Sequence, residues 1–232
     1  MYGSYSTVLT KEQTNSLLRT VYNWMMLGLF ISGVTAFFTA TSFTMQRILF
    51  GNPMTMWLLL FAELGLVFAI SGGINRMASS TAAGLFILFS IVNGLTLSSI
   101  FLIYEIGTIA ITFFVTGLTF GATSFYGYIT KTDLTSFGRY LFMALIGIVI
   151  ASIVNIFLHS PGLDWIISYI GVLLFVGLTA YDTQKIKRLG EQALGMGGET
   201  FRKVAIVGAL ALYLDFINLF LFLLRIFGGR RD

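Results

Sequence analysis

The 232-residue chain is 56% hydrophobic, has a mean hydropathy of +0.88, and carries only 10% charged residues, against about 25% in soluble domains. This composition predicts an all-α membrane protein, in which the 25 glycines let helix backbones approach one another closely. The absence of cysteine excludes disulfides, thiolate metal sites and cysteine nucleophiles. The net charge of +4 is small and lies in loops, which argues against a nucleic-acid partner.

Seven segments are long and apolar enough to cross a bilayer, which takes about 20 mostly apolar residues. Residues 1–20 are polar and lack the apolar core of a cleavable signal peptide, so we expect a short cytoplasmic tail there. A second tail, 229–232, leaves 21–228 as one transmembrane domain. The predicted spans, in chain order, are about residues 21–43, 54–75, 82–103, 106–128, 139–159, 164–184 and 204–227.

Lysine and arginine are distributed unequally between the two sides of these spans. With seven crossings, ten of them lie on the N-terminal side and four on the opposite side, which predicts a cytoplasmic N-terminus because basic loops stay in the cytoplasm. If the last segment entered and returned without crossing, the division would be thirteen to one. Charge slightly favours that alternative. However, the segment Val204 to Phe227 is long enough to cross and has no Gly or Pro near its middle.

Asp215 lies in the middle of the last apolar segment. An Asp at the centre of a membrane helix costs about 2.5–3.5 kcal/mol on insertion scales, so such residues usually mark an ion path, a proton relay or a ligand site. At about 100° per residue, Gly208, Asp215, Asn218 and Arg225 form one polar stripe on this helix. The structural alternative is that Asp215 hydrogen-bonds a neighbouring helix.

A second carboxylate, Asp182, closes the preceding apolar segment. Lys185 lies three residues later on the same helix face, so an ordinary surface ion pair is one interpretation. In a simple antiparallel hairpin, at about 1.5 Å per residue, Asp182 and Asp215 differ in depth by as much as about 10 Å. The spacing alone therefore leaves open whether the two carboxylates meet.

A third acid, Glu63, is near the middle of the second predicted helix. An ion pair or a hydrogen bond to Ser or Thr explains it as well as a role in a pathway does. Arg76 follows the cytoplasmic end of that helix and is a candidate partner for Asp182.

Several runs of sequence resemble the Bax inhibitor-1 family, above all its bacterial inner-membrane branch. They are Gly177-Leu-Thr-Ala-Tyr-Asp-Thr-Gln-Lys-Ile186, Leu212-Tyr-Leu-Asp-Phe-Ile-Asn-Leu-Phe220, Leu224-Arg-Ile-Phe-Gly228 and Asn155-Ile-Phe157. The likeness covers nearly the whole chain, and the motif of the last helix is long and specific.

The resemblance implies seven helices, with the last at the centre of the other six, in a bacterial cytoplasmic membrane. It also implies a proton-sensitive calcium leak whose shared sensor is a pair of aspartates, matched here by Asp182, preceded by Tyr181, and by Asp215. In some members an arginine of helix two holds the helix-six aspartate, and Arg76 is the candidate here. Glu63 matches an acid of helix two that some relatives carry.

Elementary electrostatics makes such a sensor plausible. Two carboxylates held close in a low dielectric cannot both ionise cheaply, so we expect them to share a proton. Ca²⁺ takes six to eight oxygen ligands, of which the two aspartates supply at most four. Carbonyls, Asn218 or water must complete the shell, so binding should be weak, as a site of ion transit requires. We expect no resident cofactor.

Three alternatives remain in view. Intramembrane aspartyl proteases also place an aspartate after a tyrosine, as Tyr181-Asp182 does, but their Gly-x-Gly-Asp motif is replaced here by Leu212-Tyr213-Leu214-Asp215. No proline follows Pro161 to supply their Pro-Ala-Leu motif, so we expect no enzyme. A membrane interaction or stress-regulatory protein could use the N-terminal tail or the 192–199 loop to bind membrane-protein partners. A proton-coupled transporter would use the same carboxylates.

Overall fold

The computed structural model describes residues 2–192 and 197–228, with the side chains of residues 2–13 left aside. The described residues are almost entirely helical and contain no strand, which confirms the all-α prediction. The predicted tail 229–232 and residues 193–196 of the 192–199 loop lie outside them. The helices are α1 (Tyr2–Thr41), α2 (Phe43–Phe50), α3 (Pro53–Gly73), α4 (Ser79–Leu97), α5 (Ile100–Ile103), α6 (Ile106–Ile129), α7 (Thr135–Leu158), α8 (Pro161–Glu191) and α9 (Gly198–Phe227), with a 3₁₀ turn at Ile74–Arg76.

Seven stretches of the described chain are long and apolar enough to cross a membrane, as the sequence predicted. The last stretch is the most buried: 61% of its apolar part is buried inside the structure, against 11–39% in the other six. That burial agrees with a helix surrounded by others. The stretches are Thr14–Thr41, Pro53–Arg76, Ser79–Ile103, Ile106–Ile129, Thr135–Leu158, Pro161–Glu191 and Gly198–Phe227.

The helices extend furthest beyond the predicted spans at three ends. The backbone of residues 2–20, which we assigned to a tail, belongs to α1, and Leu17 and Val21 are fully buried. The sixth span continues seven residues beyond 184, and the last begins six residues before 204. Polar residues mark the end of an apolar segment, but they do not end the helix. The backbone hydrogen bonds of the helix continue, and the polar side chains either pack against other helices or reach water.

One compact unit comprises residues 1–103 and 187–213. Within it α4 packs on both α1 and α3, and the glycine at 94 allows α4 to lie against the backbone of Ser32 in α1. The first turn of α9 is tied to the start of α4, since Ser79 donates from its backbone N–H (2.5 Å) and its hydroxyl (2.7 Å) to the carboxylate of Glu199. This contact explains why α9 begins before the apolar segment does.

The second compact unit comprises residues 104–186 and 214–232. Here Gly127 of α6 lies against the backbone of Ala180 in α8, a contact that leaves no room for a Cβ. Aromatic rings join α6 to the last part of α9: the ring of Phe216 is 5.3 Å from that of Phe113 and 5.5 Å from that of Phe120, centroid to centroid. These contacts hold α6, α8 and α9 around the candidate site.

Candidate functional site

Asp215 is buried in the second unit with an incomplete set of hydrogen bonds. Its residue is only 4% exposed, and its Oδ2 atom has no hydrogen-bond partner within the described ranges. Its neighbours Phe216 and Ile217 are buried apolar residues. A buried carboxylate oxygen without a donor is an expensive arrangement in a folded protein. Asp215 therefore lacks the contact that purely structural hydrogen bonding would require at this oxygen.

Asp182 belongs to the same unit and is partly buried on α8. It lies close enough to Asp215 for the charges of the two carboxylates to interact. Direct contact between the two carboxylates, which the spacing left open, stays a prediction.

The turn of α8 that carries Asp182 is fixed on both sides. The hydroxyls of Thr183 and Ser124 lie 3.0 Å apart in a hydrogen bond. The buried amide of Gln184 accepts from the backbone N–H of Leu134 (2.9 Å) and donates to the carbonyl of Thr132 (2.8 Å). These bonds attach α8 to α6 and to the α6–α7 loop, so Asp182 has a defined position relative to both.

Lys185 is the basic residue that the sequence placed beside Asp182. Its charge acts on Asp182, but its ammonium lies 5.9 Å from the centre of the Tyr181 ring, and no ion pair joins it to Asp182 in the described part of the chain. Lys185 is also exposed, where a charge is well screened by water and salt. The surface ion pair considered from the sequence is not formed here.

The remaining candidates from the polar stripe and from helix two have other contacts. Asn218 donates to the carbonyl of Leu214 in its own helix, at 2.7 Å. The guanidinium of Arg225 lies 5.5 Å from the centre of the Phe222 ring. Arg76 ends the 3₁₀ turn with an exposed side chain. The functional roles of these residues, and a latch between Arg76 and Asp182, stay predictions.

Glu63 has the hydrogen-bonded environment that its structural interpretation requires. Its carboxylate accepts from the hydroxyl of Thr96 at 2.5 Å and from the side-chain amide of Asn93 at 3.2 Å. Asn93 in turn accepts from the hydroxyl of Tyr213 at 2.7 Å. Sequence reasoning missed Asn93 and Tyr213 as partners. The signal available was that each is a polar side chain within a long apolar segment.

Within the described residues, no group of three or more His, Cys, Asp or Glu side chains that could hold a metal ion comes together. The aspartate pair supplies at most four of the six to eight oxygens that Ca²⁺ prefers. Hard oxygen donors fit that ion, but two carboxylates alone fit only a weak site completed by carbonyls, amides or water.

A family model described as inhibitor of apoptosis-promoting Bax1 matches residues 14–232. The chain belongs to this family. The inner membrane protein YbhL of Escherichia coli K12 is 50% identical over 228 residues, covering 98% of this chain and 97% of that protein. An uncharacterized protein of Borreliella burgdorferi is 49% identical over 218 residues, 94% of each chain. An uncharacterized membrane protein of Streptococcus pyogenes serotype M6 is 38% identical over 220 residues, also 94% of each.

Membership of the Bax inhibitor-1 family and the seven apolar helices establish a multi-pass membrane protein. The match includes both Asp182 and Asp215 and begins at Thr14.

Proposed function

We propose that this protein is a pH-modulated leak channel for Ca²⁺ or a similar hard cation, in which Asp182 and Asp215 share a proton and control passage. In this proposal the protein is not an enzyme. It lies in a bacterial inner membrane, as the name of its E. coli relative says of that protein, with the N-terminus on the cytoplasmic side.

The observation that carries the proposal is the state of Asp215: buried, within interaction range of a second carboxylate, and with one oxygen unpartnered. An acid kept for structure would have a donor at each buried oxygen. An acid that exchanges a proton or meets a passing ion needs an oxygen that is open for that purpose.

The two protonation states of the pair have different consequences for a cation. With one proton shared, the carboxylates can hydrogen-bond each other and offer little attraction to an ion. With both ionised, they repel each other and attract a hard cation. Four carboxylate oxygens at most bind Ca²⁺ incompletely, which allows the ion to leave again.

The proposal is tested by measuring Ca²⁺ entry into liposomes that contain the purified protein, between pH 6 and pH 8. Wild type should pass Ca²⁺ at a rate that changes with pH. Asp215→Asn keeps the size of the side chain but removes its charge and its proton exchange, so both the rate and its pH profile should change.

Asp164→Asn is the matched control. This acid is in the same unit but accepts a hydrogen bond from the amide of Asn155 at 2.6 Å, and the substitution should leave the pH profile of wild type unchanged. Ca²⁺ entry with the same rate and pH profile in wild type and Asp215→Asn would remove Asp215 from the mechanism. No Ca²⁺ entry above that of empty liposomes would refute the leak itself.

A further inference from the structure

A chain of hydrogen bonds runs between four helices of the first unit. Thr96 and Asn93 of α4 donate to Glu63 of α3. The hydroxyl of Tyr213 in α9 donates to Asn93 Oδ1 at 2.7 Å, and it lies 2.6 Å from the hydroxyl of Ser32 in α1. Glu63 is thereby connected to α1 and α9 through side chains alone.

Most of this chain is sealed from its surroundings. Tyr213 is 0% exposed, Ser32 1% and Asn93 8%. The rings of Phe86 and Phe89 pack edge-on against Tyr213, with centroids 6.0 and 5.4 Å away. Donors and acceptors in such a place must satisfy one another, because an unpaired polar group there is costly.

The hydroxyl groups in the chain have more acceptors than hydrogens. Ser32 has one hydroxyl hydrogen, and the oxygen of Tyr213 (2.6 Å), the carbonyl of Ser90 (2.7 Å) and the carbonyl of Gly28 (2.9 Å) are all within reach of it. Tyr213 also has one hydrogen, for either Asn93 or Ser32. Each hydroxyl can therefore point in more than one direction without any movement of the backbone.

When Glu63 is ionised, the chain has one consistent direction. An ionised carboxylate only accepts, so the NH₂ group of Asn93 faces Glu63 and the Asn93 oxygen faces Tyr213. Tyr213 then donates to Asn93, and Ser32 donates to Tyr213. The contact of 2.5 Å between Thr96 and Glu63 is in the range of a hydroxyl bonded to a charged oxygen.

When Glu63 is protonated, the opposite direction is satisfied instead. The acid now donates, so the Asn93 amide turns to present its oxygen to Glu63 and its NH₂ group to Tyr213, an orientation that the hydrogen-bond network decides. Tyr213 then donates to Ser32, and Ser32 donates to the carbonyl of Ser90. The hydrogens of the acid and of the two hydroxyls again have one acceptor each.

We propose that Glu63 is a second proton-binding site of this protein, and that Asn93 passes its protonation state to Tyr213 in α9 by reversing the direction of this chain. The proton taken up from solvent stays on Glu63, while the amide and the two hydroxyls only rotate. The proposal does not depend on cation conduction or on the aspartate pair.

Among the charged groups on the elements packed against α3, Glu63 is the one that sets the direction of the hydrogen-bond chain. The helix packed on α3, α4, has no titratable residue between Ser79 and Leu97. The other neighbours of α3 carry Arg47 in α2 and Arg76 in the 3₁₀ turn, both exposed. Arg76 is thirteen residues from Glu63, about 20 Å of helix. Tyr213 is the titratable group that the chain itself reaches.

The hydrogen-bond chain reaches α9 at Tyr213, close to Asp215. Tyr213 precedes Asp215 by two residues, so the two side chains leave the helix about 200° apart. One short segment of α9 therefore carries both Tyr213, a member of the Glu63 chain, and the buried acid of the candidate site.

Infrared difference spectroscopy of the full-length protein in liposomes, recorded as the pH is changed, tests this proposal. Wild type should show the C=O band of a protonated carboxyl that is lost in Glu63→Gln. It should also show a tyrosine C–O band that shifts with the same midpoint, because the acceptor of Tyr213 changes from an amide oxygen to a hydroxyl. Tyr213→Phe should remove that shift, whereas Tyr126→Phe, at an exposed position, should leave it.

Two variants separate the relay from a structural role. Glutamine at position 63 cannot gain or lose a proton in this pH range, so in Glu63→Gln the Tyr213 band should keep a single form at every pH. In Asn93→Leu the Glu63 band should still titrate, while the Tyr213 band should no longer follow it. A Tyr213 band that keeps its pH shift in Glu63→Gln would overturn the proposal, as would the absence of any Glu63 band. Glu63→Gln is nearly isosteric, so this test holds even where Asn93→Leu fails to fold.

Discussion

Replacing Asp215 by leucine should make the protein more stable. Asp215 is 4% exposed and its Oδ2 has no hydrogen-bond partner in the residues that the structure describes. It also lies within range of the charge of Asp182. Leucine has the same branching and the same number of side-chain heavy atoms, needs no hydrogen bond and removes one of the two acids.

The size of the gain follows from the cost of the unpaired oxygen. A buried acceptor without a donor costs about 1–3 kcal/mol, and its replacement by an apolar group of similar shape removes that cost. For a protein of this size each kcal/mol moves the midpoint of thermal unfolding by about 2–4 °C. We therefore expect Asp215→Leu to unfold about 2–12 °C above wild type.

The assay is thermal unfolding of the purified protein in one detergent, followed by tryptophan fluorescence at a fixed scan rate. Asp164→Leu is the matched control, because it makes the same substitution at an acid that has a partner, Asn155. That variant should unfold below wild type. If Asp215→Leu also unfolds below wild type, Asp215 is a structural residue with donors supplied by ordered water, and the reasoning from its unpaired oxygen is wrong.

Three further predictions follow from contacts in the second unit. Gln184→Leu should lower stability by about 1–3 kcal/mol through loss of two hydrogen bonds and should speed amide hydrogen exchange in residues 130–134; unchanged exchange there would contradict it. Gly127→Ala should destabilise the protein by about 1–3 kcal/mol, because a Cβ would meet the facing backbone. Gly121→Ala is the control, since a Cβ there meets open space, and it should leave stability unchanged. Equal midpoints of thermal unfolding for the two variants would refute this prediction. Ca²⁺ binding should release protons and weaken as pH falls, measured by calorimetry in two buffers, and Asp182→Asn should abolish the proton release.

The number of spanning helices could be predicted from the sequence because the bilayer sets a minimum length of apolar residues. The helix ends could not. Residues 14–20 have a polar composition, yet Thr14 and Leu17 are buried, and the first turn of α9 is held by Ser79 through Glu199. These ends depend on packing between distant segments, which hydropathy along the chain does not contain.

The functional residues also differ in whether they could be predicted from the sequence. Asp215 was predictable because a carboxylate in an apolar helix is conspicuous by itself. The chain through Asn93, Tyr213 and Ser32 was not, since these side chains meet across sequence separations of 120 and 181 residues. Polar residues of this kind are ordinary singly, and only the packing of the helices shows that they form one chain of hydrogen bonds.

The two buried acids of this protein are most informative when compared with each other. Glu63 and Asp215 both occupy the middle of membrane helices, and both carry the same insertion cost. Glu63 receives donors from Thr96 and Asn93, so its environment would hold an ionised carboxylate in place. Asp215 has an oxygen with no donor and a second acid nearby. The same fold supplies donors to both carboxylate oxygens of Glu63 but leaves Oδ2 of Asp215 without a partner in the described residues. Under the proposed function, that oxygen is the place where a proton or a cation would bind.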